Sequence, residues 1–126
     1  HQESTTRLYS CIEKIKSRGV KAGVVLSPAT NEDTLKYVLD KIDMILLMTI
    51  NPGEAGPGFH EELLTKIKNV RDLIGDRDID LEVDGGIDNT NIAKCKEAGV
   101  NVFVSGGYVF KGDIAEKIKT LREALK

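Results

Sequence analysis

Four short apolar runs, each followed by a stretch with helical periodicity, constrain the fold of this 126-residue chain more than any other feature. Each run has the length of a buried strand and is bounded by turn-forming residues. The predicted strands cover residues 21–26, 43–50, 79–84 and 101–105. Their starts lie about one βαβ unit apart, which predicts a parallel sheet connected by helices. We expect a single α/β domain over residues 1–126.

The segments between the strands carry apolar residues at three- and four-residue spacing, as amphipathic helices do. The predicted helices cover residues 4–18, 31–40, 63–74, 89–98 and 114–125, with a short extra helix at 107–110. Thr30 or Asn31 can cap the second of these helices, and Asp88 or Asn89 can cap the fourth. The nearly continuous apolar run at 43–50 predicts a strand that is buried on both faces.

This alternation fits both a doubly wound sheet and a (β/α)8 barrel. The strand at 79–84 favours the barrel, because Asp80, Glu82 and Asp84 alternate with apolar residues. Acids on one face suit a partly polar barrel interior. A doubly wound sheet would bury the same acids under a second layer of helices at considerable cost.

The composition excludes several classes of protein. The chain has 18 Lys plus Arg against 20 Asp plus Glu, a net charge of -2, so no basic field attracts nucleic acid. No apolar run approaches the ~20 residues that span a bilayer, so no membrane partner is expected. Cys11 and Cys95 have no CxxC spacing, which favours a reducing cytoplasm. Both cysteines lie in predicted helices and are expected to be buried, inert thiols.

Parallel α/β folds place their functional residues at the carboxyl ends of the strands. Two glycine pairs occur there, Gly85-Gly86 and Gly106-Gly107. Backbone N–H groups without a neighbouring Cβ can converge on an anion, which makes a phosphate the expected ligand, although such glycines also form tight turns. Asp84 directly precedes the first pair and is a candidate acid/base or metal ligand, with a turn or cap role as the alternative.

Four motifs together carry a specific resemblance to a known family. They are KAGVVLSPAT (21–30), MTINPGEAGPGF (48–59), LEVDGG (81–86) and VSGGYVF (104–110). In this order and spacing they resemble the ribulose-phosphate 3-epimerase family, and His1-x-Glu3 resembles the end of that family's fourth strand. The match covers the second half of the family's fold. The resemblance therefore implies a (β/α)8 TIM barrel of which this chain covers roughly the last four βα units, a half-barrel.

The resemblance also implies an activity and a cofactor. Family members interconvert D-ribulose 5-phosphate and D-xylulose 5-phosphate through an enediolate, assisted by a divalent metal such as Zn, Fe or Mn. Asp84 matches the residue that binds the metal and moves a proton. The second carboxylate and two metal-binding histidines belong to the family's second and third strands, which this sequence does not contain. The isolated chain is therefore expected to be inactive, and it need not bind a metal.

The resemblance assigns the substrate contacts as well. Met48 matches a residue lying against the reacting carbons, although ordinary barrel packing explains a methionine there equally well. Gly53 and Gly56 match the loop that closes over the sugar phosphate, and both glycine pairs match the phosphate site. The sequence departs from the family pattern at four positions, which put tight closure of the loop in doubt but leave the backbone N–H groups for phosphate: Glu54, Ala55, Pro57 and Gly107.

Two alternatives to the epimerase remain at this stage. One is a non-catalytic half-barrel that binds phosphate or serves a structural purpose, and the other is a related hexulose-phosphate epimerase. Four strands in an open sheet expose two edges, so we expect a homo-oligomer, in the simplest case a homodimer, unless a missing N-terminal half is supplied. His60 lies beside acids at a helix start and is expected to be solvated, and His1 is not expected to bind metal.

Overall fold

The computed structural model describes residues 1–54 and 58–126. Its sheet has four parallel strands in the order β1-β2-β3-β4. The strands are β1 Gly23–Leu26, β2 Met44–Met48, β3 Asp80–Asp84 and β4 Val102–Val104. The α-helices are α1 Leu8–Lys16, α2 Leu63–Ile74, α3 Ile92–Ala98, α4 Gly107–Phe110 and α5 Ile114–Ala124. The predicted parallel α/β architecture is confirmed, and neighbouring strands along the chain are neighbours in the sheet.

The two faces of the sheet differ in burial. On β3 the apolar Leu81 and Val83 are fully buried, whereas the three acids of this strand face the other side and are partly exposed. The buried face packs into one core with residues of the helices, including Ile67 of α2 and Ile92 of α3. This is the alternation predicted from the sequence of β3, with helices on one side and a partly polar face on the other.

The prediction that β2 is buried on both faces is wrong for this chain. Ile45 and Leu47 are buried, but the alternate residues Met44, Leu46 and Met48 are only partly buried. The helices cover the Leu47 side, and in a closed barrel the other side would face the interior. The apolar run therefore has the composition of a strand with two covered faces, of which the described residues cover one.

The segment between β1 and β2 contains two 3₁₀ turns, Glu32–Leu35 and Leu39–Lys41, in place of the predicted helix at 31–40. Local side-chain hydrogen bonds explain the difference. The Asn31 side chain accepts from the Asp33 N–H, and the Thr34 hydroxyl donates to the Asn31 carbonyl. Such bonds compete with a regular helix. The apolar residues of the segment, Leu35 and Leu39 among them, are still buried.

The first predicted helix, at 4–18, is a 3₁₀ turn at Gln2–Ser4 followed by the shorter α1. Ile12 is the buried residue of α1, while Cys11 is exposed, so the expectation of a buried Cys11 is wrong. Helix α1 lies at the end of the sheet and is covered on one side only. Cys95 is buried as predicted, and burial raises the pKa of its thiol to about 11. A thiol with that pKa is unreactive near neutral pH.

The remaining helices lie close to their predicted positions. α2 and the short α4 have the predicted bounds, and α5 ends at Ala124. α3 begins at Ile92, later than predicted, because the Asp88 carboxylate accepts from the N–H and hydroxyl of Thr90 and closes a separate turn. Among the described residues, no helix has the length and apolarity that crossing a bilayer requires.

Candidate active site

Asp84 ends β3 at the carboxyl edge of the sheet. Its Cα is in register with Met48 of β2 and Val104 of β4. Side chains in register on parallel strands project to the same face, and all three are partly exposed. Asp84 therefore lies in the uppermost row of the uncovered face, beside the methionine that the sequence analysis paired with it.

Glu82 occupies the next row, between Leu46 and Val102. Burial, followed by the charges of Asp84 and Asp80, raises the pKa of the Glu82 carboxyl above its ordinary value. The three acids thus form a column of like charge along one face of β3. Glu82, in the middle of that column, therefore gains a proton more readily than an isolated glutamate does.

The first glycine pair forms a tight turn directly after Asp84. Gly85 has a φ of 131° and Gly86 a φ of 66°, in the region that favours glycine. A Cβ on Gly85 would lie 2.6 Å from the Ile50 nitrogen, and one on Gly86 would lie 2.8 Å from the Phe59 nitrogen. Both glycines are therefore required by the turn itself, whatever else the turn binds.

The second glycine pair is built differently. Gly106 and Gly107 are exposed, neither has a positive φ, and a Cβ on either residue would meet nothing within 4 Å. The chain does not need glycine here for a turn or for packing. The residue choice leaves the start of the short α4 accessible from solvent, three residues beyond Val104, the neighbour of Asp84 in the sheet. The structure thus brings Asp84, Met48 and both glycine pairs to one edge.

The loop after β2 is described only in part. Gly53 has a φ of 81°, is exposed, and has open space around its Cβ position. The Asn51 side-chain amide donates to both carboxylate oxygens of Glu54 at 3.3 Å. Gly56, which the resemblance placed in the substrate loop, lies outside the described residues, as do Ala55 and Pro57.

Two polar residues hold the end of β1: Glu3, which belongs to the His1-x-Glu3 resemblance, and Lys66, which was not predicted from the sequence. The Glu3 carboxylate accepts from the Ser27 N–H at 2.8 Å, and the buried Lys66 donates to the Ser27 and Pro28 carbonyls at 2.9 and 3.0 Å. Burial lowers the pKa of Lys66 below its ordinary value. Its place on the apolar side of α2, between Leu63 and Ile67, was the available signal.

Three further polar residues hold the turn at 85–87, and the sequence analysis missed these as well. They are Thr49 after β2, Asn91 before α3 and Ser105 after β4. Their partners are 36, 5 and 18 positions away in the chain. A threonine inside the apolar run at 43–50 was the one visible signal.

The described residues do not form a metal site by themselves. No group of three or more His, Cys, Asp or Glu side chains within residues 1–54 and 58–126 lies close enough together to hold an ion. Asp84, the ligand that the resemblance implies, would supply one position, whereas a metal of the expected kind usually takes about four. The His60 side chain is 50% exposed and lies 3.8 Å from Glu62, in agreement with the expected solvated histidine.

Two depressions lie away from the strand ends. One of about 390 Å³ lies between the 3₁₀ turn at Glu32–Leu35 and α2, lined by Asp33 and Asn69 among others, and one of about 490 Å³ lies beside Ile15 and Val20. Neither of these two belongs to the carboxyl edge that carries Asp84.

Comparison with known proteins agrees with the resemblance seen in the motifs. The profile of the ribulose-phosphate 3 epimerase family matches residues 1–110. A ribulose-phosphate 3-epimerase of Serratia marcescens is 48% identical over 112 residues, which cover 87% of this chain and 53% of that protein. A chloroplastic ribulose-5-phosphate-3-epimerase of Arabidopsis thaliana is 42% identical, over 96% of this chain and 44% of that protein.

A solved structure supports the fold. The crystal structure of a 3-hexulose-6-phosphate synthase superposes with a TM-score of 0.69 at 24% sequence identity, over 92% of this chain and 55% of that one. The chain spans about half the length of the curated relatives it matches. Its four βα units are accordingly a half-barrel of the TIM-barrel type. By its sequence, the chain belongs to the ribulose-phosphate 3-epimerase family.

Proposed function

We propose that residues 1–126 form one domain that is the C-terminal half of a ribulose-phosphate 3-epimerase barrel, with D-ribulose 5-phosphate and D-xylulose 5-phosphate as substrate and product. The observation that carries the proposal is the position of Asp84. It lies at the carboxyl edge of the sheet, in register with Met48 and directly before the Gly85-Gly86 turn. Family membership supports the same reaction.

In the proposed reaction, the Asp84 carboxylate removes the proton from C3 of the ketose phosphate. The electron pair of the broken C–H bond moves toward C2, and the ketone oxygen takes up the charge, which gives an enediolate. Return of a proton to the opposite face of C3 completes the inversion. A second acid is needed on that face. Among the residues of the four strands, the acids all belong to β3, on the same side as Asp84.

The remaining site residues have binding roles in this proposal. Met48 forms an apolar wall beside the reacting carbons, where a soft, polarisable side chain suits a delocalised anion. Backbone N–H groups of Gly85-Gly86 and Gly106-Gly107 bind the phosphate. Gly53 and Gly56 belong to the loop that covers the sugar. A Zn, Fe or Mn ion would take Asp84 as one ligand and the rest from outside residues 1–126, and it would supply Lewis-acid stabilisation of the substrate oxygens.

The test is complementation with the N-terminal half of a related epimerase. We expect the two halves together, with a divalent metal, to exchange the C3 proton of ribulose 5-phosphate with deuterated solvent. Asp84→Asn should lower that rate by about 10²–10⁴-fold, the usual contribution of general acid–base catalysis. Asp72→Asn, an exposed carboxylate on α2, is the matched control. An unchanged rate in the Asp84 variant would refute the proposal.

A non-catalytic phosphate-binding half-barrel is the second candidate. The observation in its favour is the open second glycine pair, which needs no other part of the barrel to expose its N–H groups. Phosphate binding without proton exchange in the complemented sample would support this candidate. Offering a hexulose 6-phosphate in place of ribulose 5-phosphate in the same assay tests the related hexulose-phosphate epimerase.

A further inference from the structure

The turn after β3 is held by side chains from other elements. The Thr49 hydroxyl donates to the Gly85 carbonyl at 2.5 Å. The Asn91 side-chain amide donates to the next carbonyl, that of Gly86, at 2.8 Å. Two successive peptide groups of the turn are thus oriented by donors that lie outside it.

A third donor continues the series. The Ser105 hydroxyl donates to the Ile87 carbonyl at 2.6 Å. Because Ser105 directly precedes Gly106, this bond also links the two glycine-pair segments to each other. We call Thr49, Asn91 and Ser105 the carbonyl-holding side chains.

Two of the carbonyl-holding side chains, Thr49 and Asn91, are buried. Within residues 1–54 and 58–126, the buried polar or charged residues are Thr49, Lys66 and Asn91, of which the first is fully buried and the last 6% exposed. Two of the three therefore hold the same turn. Burying a polar side chain costs free energy unless it is hydrogen-bonded, and here the bonds are made to this backbone segment.

The orientation of each carbonyl also sets the direction of the following N–H. A trans peptide group is planar, and its C=O and N–H point in opposite directions. Holding the Gly85 carbonyl against Thr49 turns the Gly86 N–H away from β2, and holding the Gly86 carbonyl against Asn91 turns the Ile87 N–H away from α3.

Thr49 holds the catalytic candidate as well. Its own N–H donates to the Asp84 carbonyl at 2.8 Å. One residue thus bonds to both Asp84 and Gly85, the residues at which the proposed acid/base group meets the proposed phosphate turn.

We propose that the carbonyl-holding side chains are positioning residues for anion binding. Thr49 and Asn91 fix the directions of the Gly86 and Ile87 N–H groups, and Ser105 fixes the second glycine pair, which begins at the next residue, against the turn that carries the first. The proposal rests on the phosphate role given to the glycine turns under the proposed function. It adds that the affinity of this site depends on three side chains that do not touch the ligand. A purely structural role would change the stability of the chain and leave phosphate affinity unaltered.

The experiment is an amide NMR titration of the 126-residue chain with inorganic phosphate and with ribulose 5-phosphate. Thr49→Val keeps the shape of the side chain and removes the hydroxyl, whereas Thr49→Ser keeps the hydroxyl. We expect Thr49→Val to weaken binding about tenfold, the equivalent of one net hydrogen bond of about 1.4 kcal/mol, and Thr49→Ser to bind as the unchanged chain does.

Two further variants allow the inference to be tested even if Thr49→Val does not fold. Ser105→Ala removes a hydroxyl from a half-buried position and should weaken binding several-fold. Thr120→Val is the matched control, because the Thr120 hydroxyl also donates to a backbone carbonyl, that of Glu116, but on α5. It should bind as the unchanged chain does.

The outcomes separate this inference from the proposed function. If the unchanged chain binds phosphate at these turns and Ser105→Ala binds equally well, the positioning role is wrong and the phosphate site stands. Equal loss in Thr49→Ser and Thr49→Val would show that keeping the hydroxyl does not preserve binding, and would also overturn the inference. If phosphate shifts none of the amides at 85–87 or 106–107 in the unchanged chain, the phosphate site itself is wrong and the positioning role falls with it.

Discussion

Lys66 is the buried cation that ties α2 to the end of β1. Its ammonium group donates to two carbonyl oxygens, and burial lowers its pKa. We expect Lys66→Met to destabilise the chain by about 1–3 kcal/mol, because the Ser27 and Pro28 carbonyls lose a donor in a partly buried place. Urea unfolding at neutral pH measures this. Lys68→Met on the exposed side of the same helix is the control, and equal losses in the two variants would contradict the assigned role.

Glu3 makes the stability of the chain sensitive to acid. Partial burial disfavours its charged form, but hydrogen bonds from the Thr30 hydroxyl and the Ser27 N–H outweigh burial and hold the pKa of Glu3 below its ordinary value of 4.5. A pKa depressed in the folded state means that the unfolded chain binds the proton more tightly. The stabilisation is therefore complete above pH 4.5 and is lost as the pH falls through the folded-state pKa.

The variant Glu3→Gln tests this dependence, since its side chain does not titrate. Between about pH 6 and about pH 3 its free energy of unfolding should fall less than that of the unchanged chain. Glu97→Gln, an exposed glutamate on α3, should follow the unchanged chain. Parallel curves for all three proteins would show that the Glu3 hydrogen bonds contribute nothing.

Gly106 provides the sharpest test of the phosphate site at a single residue. Its φ of -90° is open to any residue, and a Cβ there meets nothing within 4 Å, so Gly106→Asp should fold normally. A carboxylate at this point repels a phosphate, and we expect binding to weaken by at least about tenfold, or 1.4 kcal/mol. Calorimetry with phosphate measures it. Gly106→Ala separates charge from size, and unaltered affinity in the aspartate variant would remove Gly106 from the site.

At the scale of elements, we expect substitutions in the two glycine pairs to have opposite effects on stability. Gly85→Ala adds a Cβ at a positive φ, 2.6 Å from a backbone nitrogen, and should cost about 2–4 kcal/mol from backbone strain and overpacking together. Gly107→Ala fills open space on a short helix and should be neutral or slightly stabilising. Thermal unfolding of both variants measures the contrast. Similar midpoints would mean that the turn after β3 is not held as described.

A comparison of the predicted and observed elements shows how far the sequence could predict this structure. Strands and long helices follow from apolar spacing, and β3 with its alternating acids was located to within one residue. The segment at 31–40 was not, because bonds of Asn31 and Thr34 to nearby backbone favour 3₁₀ turns over a helix of the same apolar spacing. Periodicity reports which residues are buried more faithfully than it reports the hydrogen-bonding pattern.

The candidate site likewise contains residues that could be located from the sequence and contacts that could not. Residues that end strands, such as Asp84, could be located because strand ends share one edge in any parallel sheet. The Thr49 and Ser105 contacts could not, since each bond joins positions 36 or 18 residues apart and depends on the exact register of the sheet. The exposure of Cys11 and of one face of β2 was missed for a further reason: it reflects what covers the chain, which no local pattern encodes.

At the scale of the whole molecule, the two edge strands of the sheet each lack a partner strand on one side within the described residues. β1 pairs only with β2, and β4 only with β3, within the described residues. Apolar side chains also remain exposed, with Ile15 at 42% and Val20 at 54% in the first part of the chain and Ile114 at 46% and Ile118 at 36% in the last. Open strand edges with exposed apolar groups favour association with another chain.

We therefore expect the 126-residue chain to form a homodimer when no N-terminal half is supplied. A two-fold axis that pairs β1 of each copy with β4 of the other forms both contacts at once and closes a ring of eight parallel strands. Closure would also cover the partly exposed face that carries Met48 and Asp84. Light scattering should give a mass of about twice the 13.8 kDa of one chain.

Substitutions at one end of the sheet test the geometry of this dimer. Ile118→Lys places a charge on the exposed apolar side of α5 and should shift the protein toward monomer, because burying an unpaired ammonium in the contact costs several kcal/mol. Tyr37→Lys changes a more exposed residue, 82% accessible, in the segment between β1 and β2, and should leave the mass unchanged. A monodisperse monomer from the unchanged chain would mean that an open half-barrel tolerates its own edges, and the groups that complete the site would then have to come from outside residues 1–126.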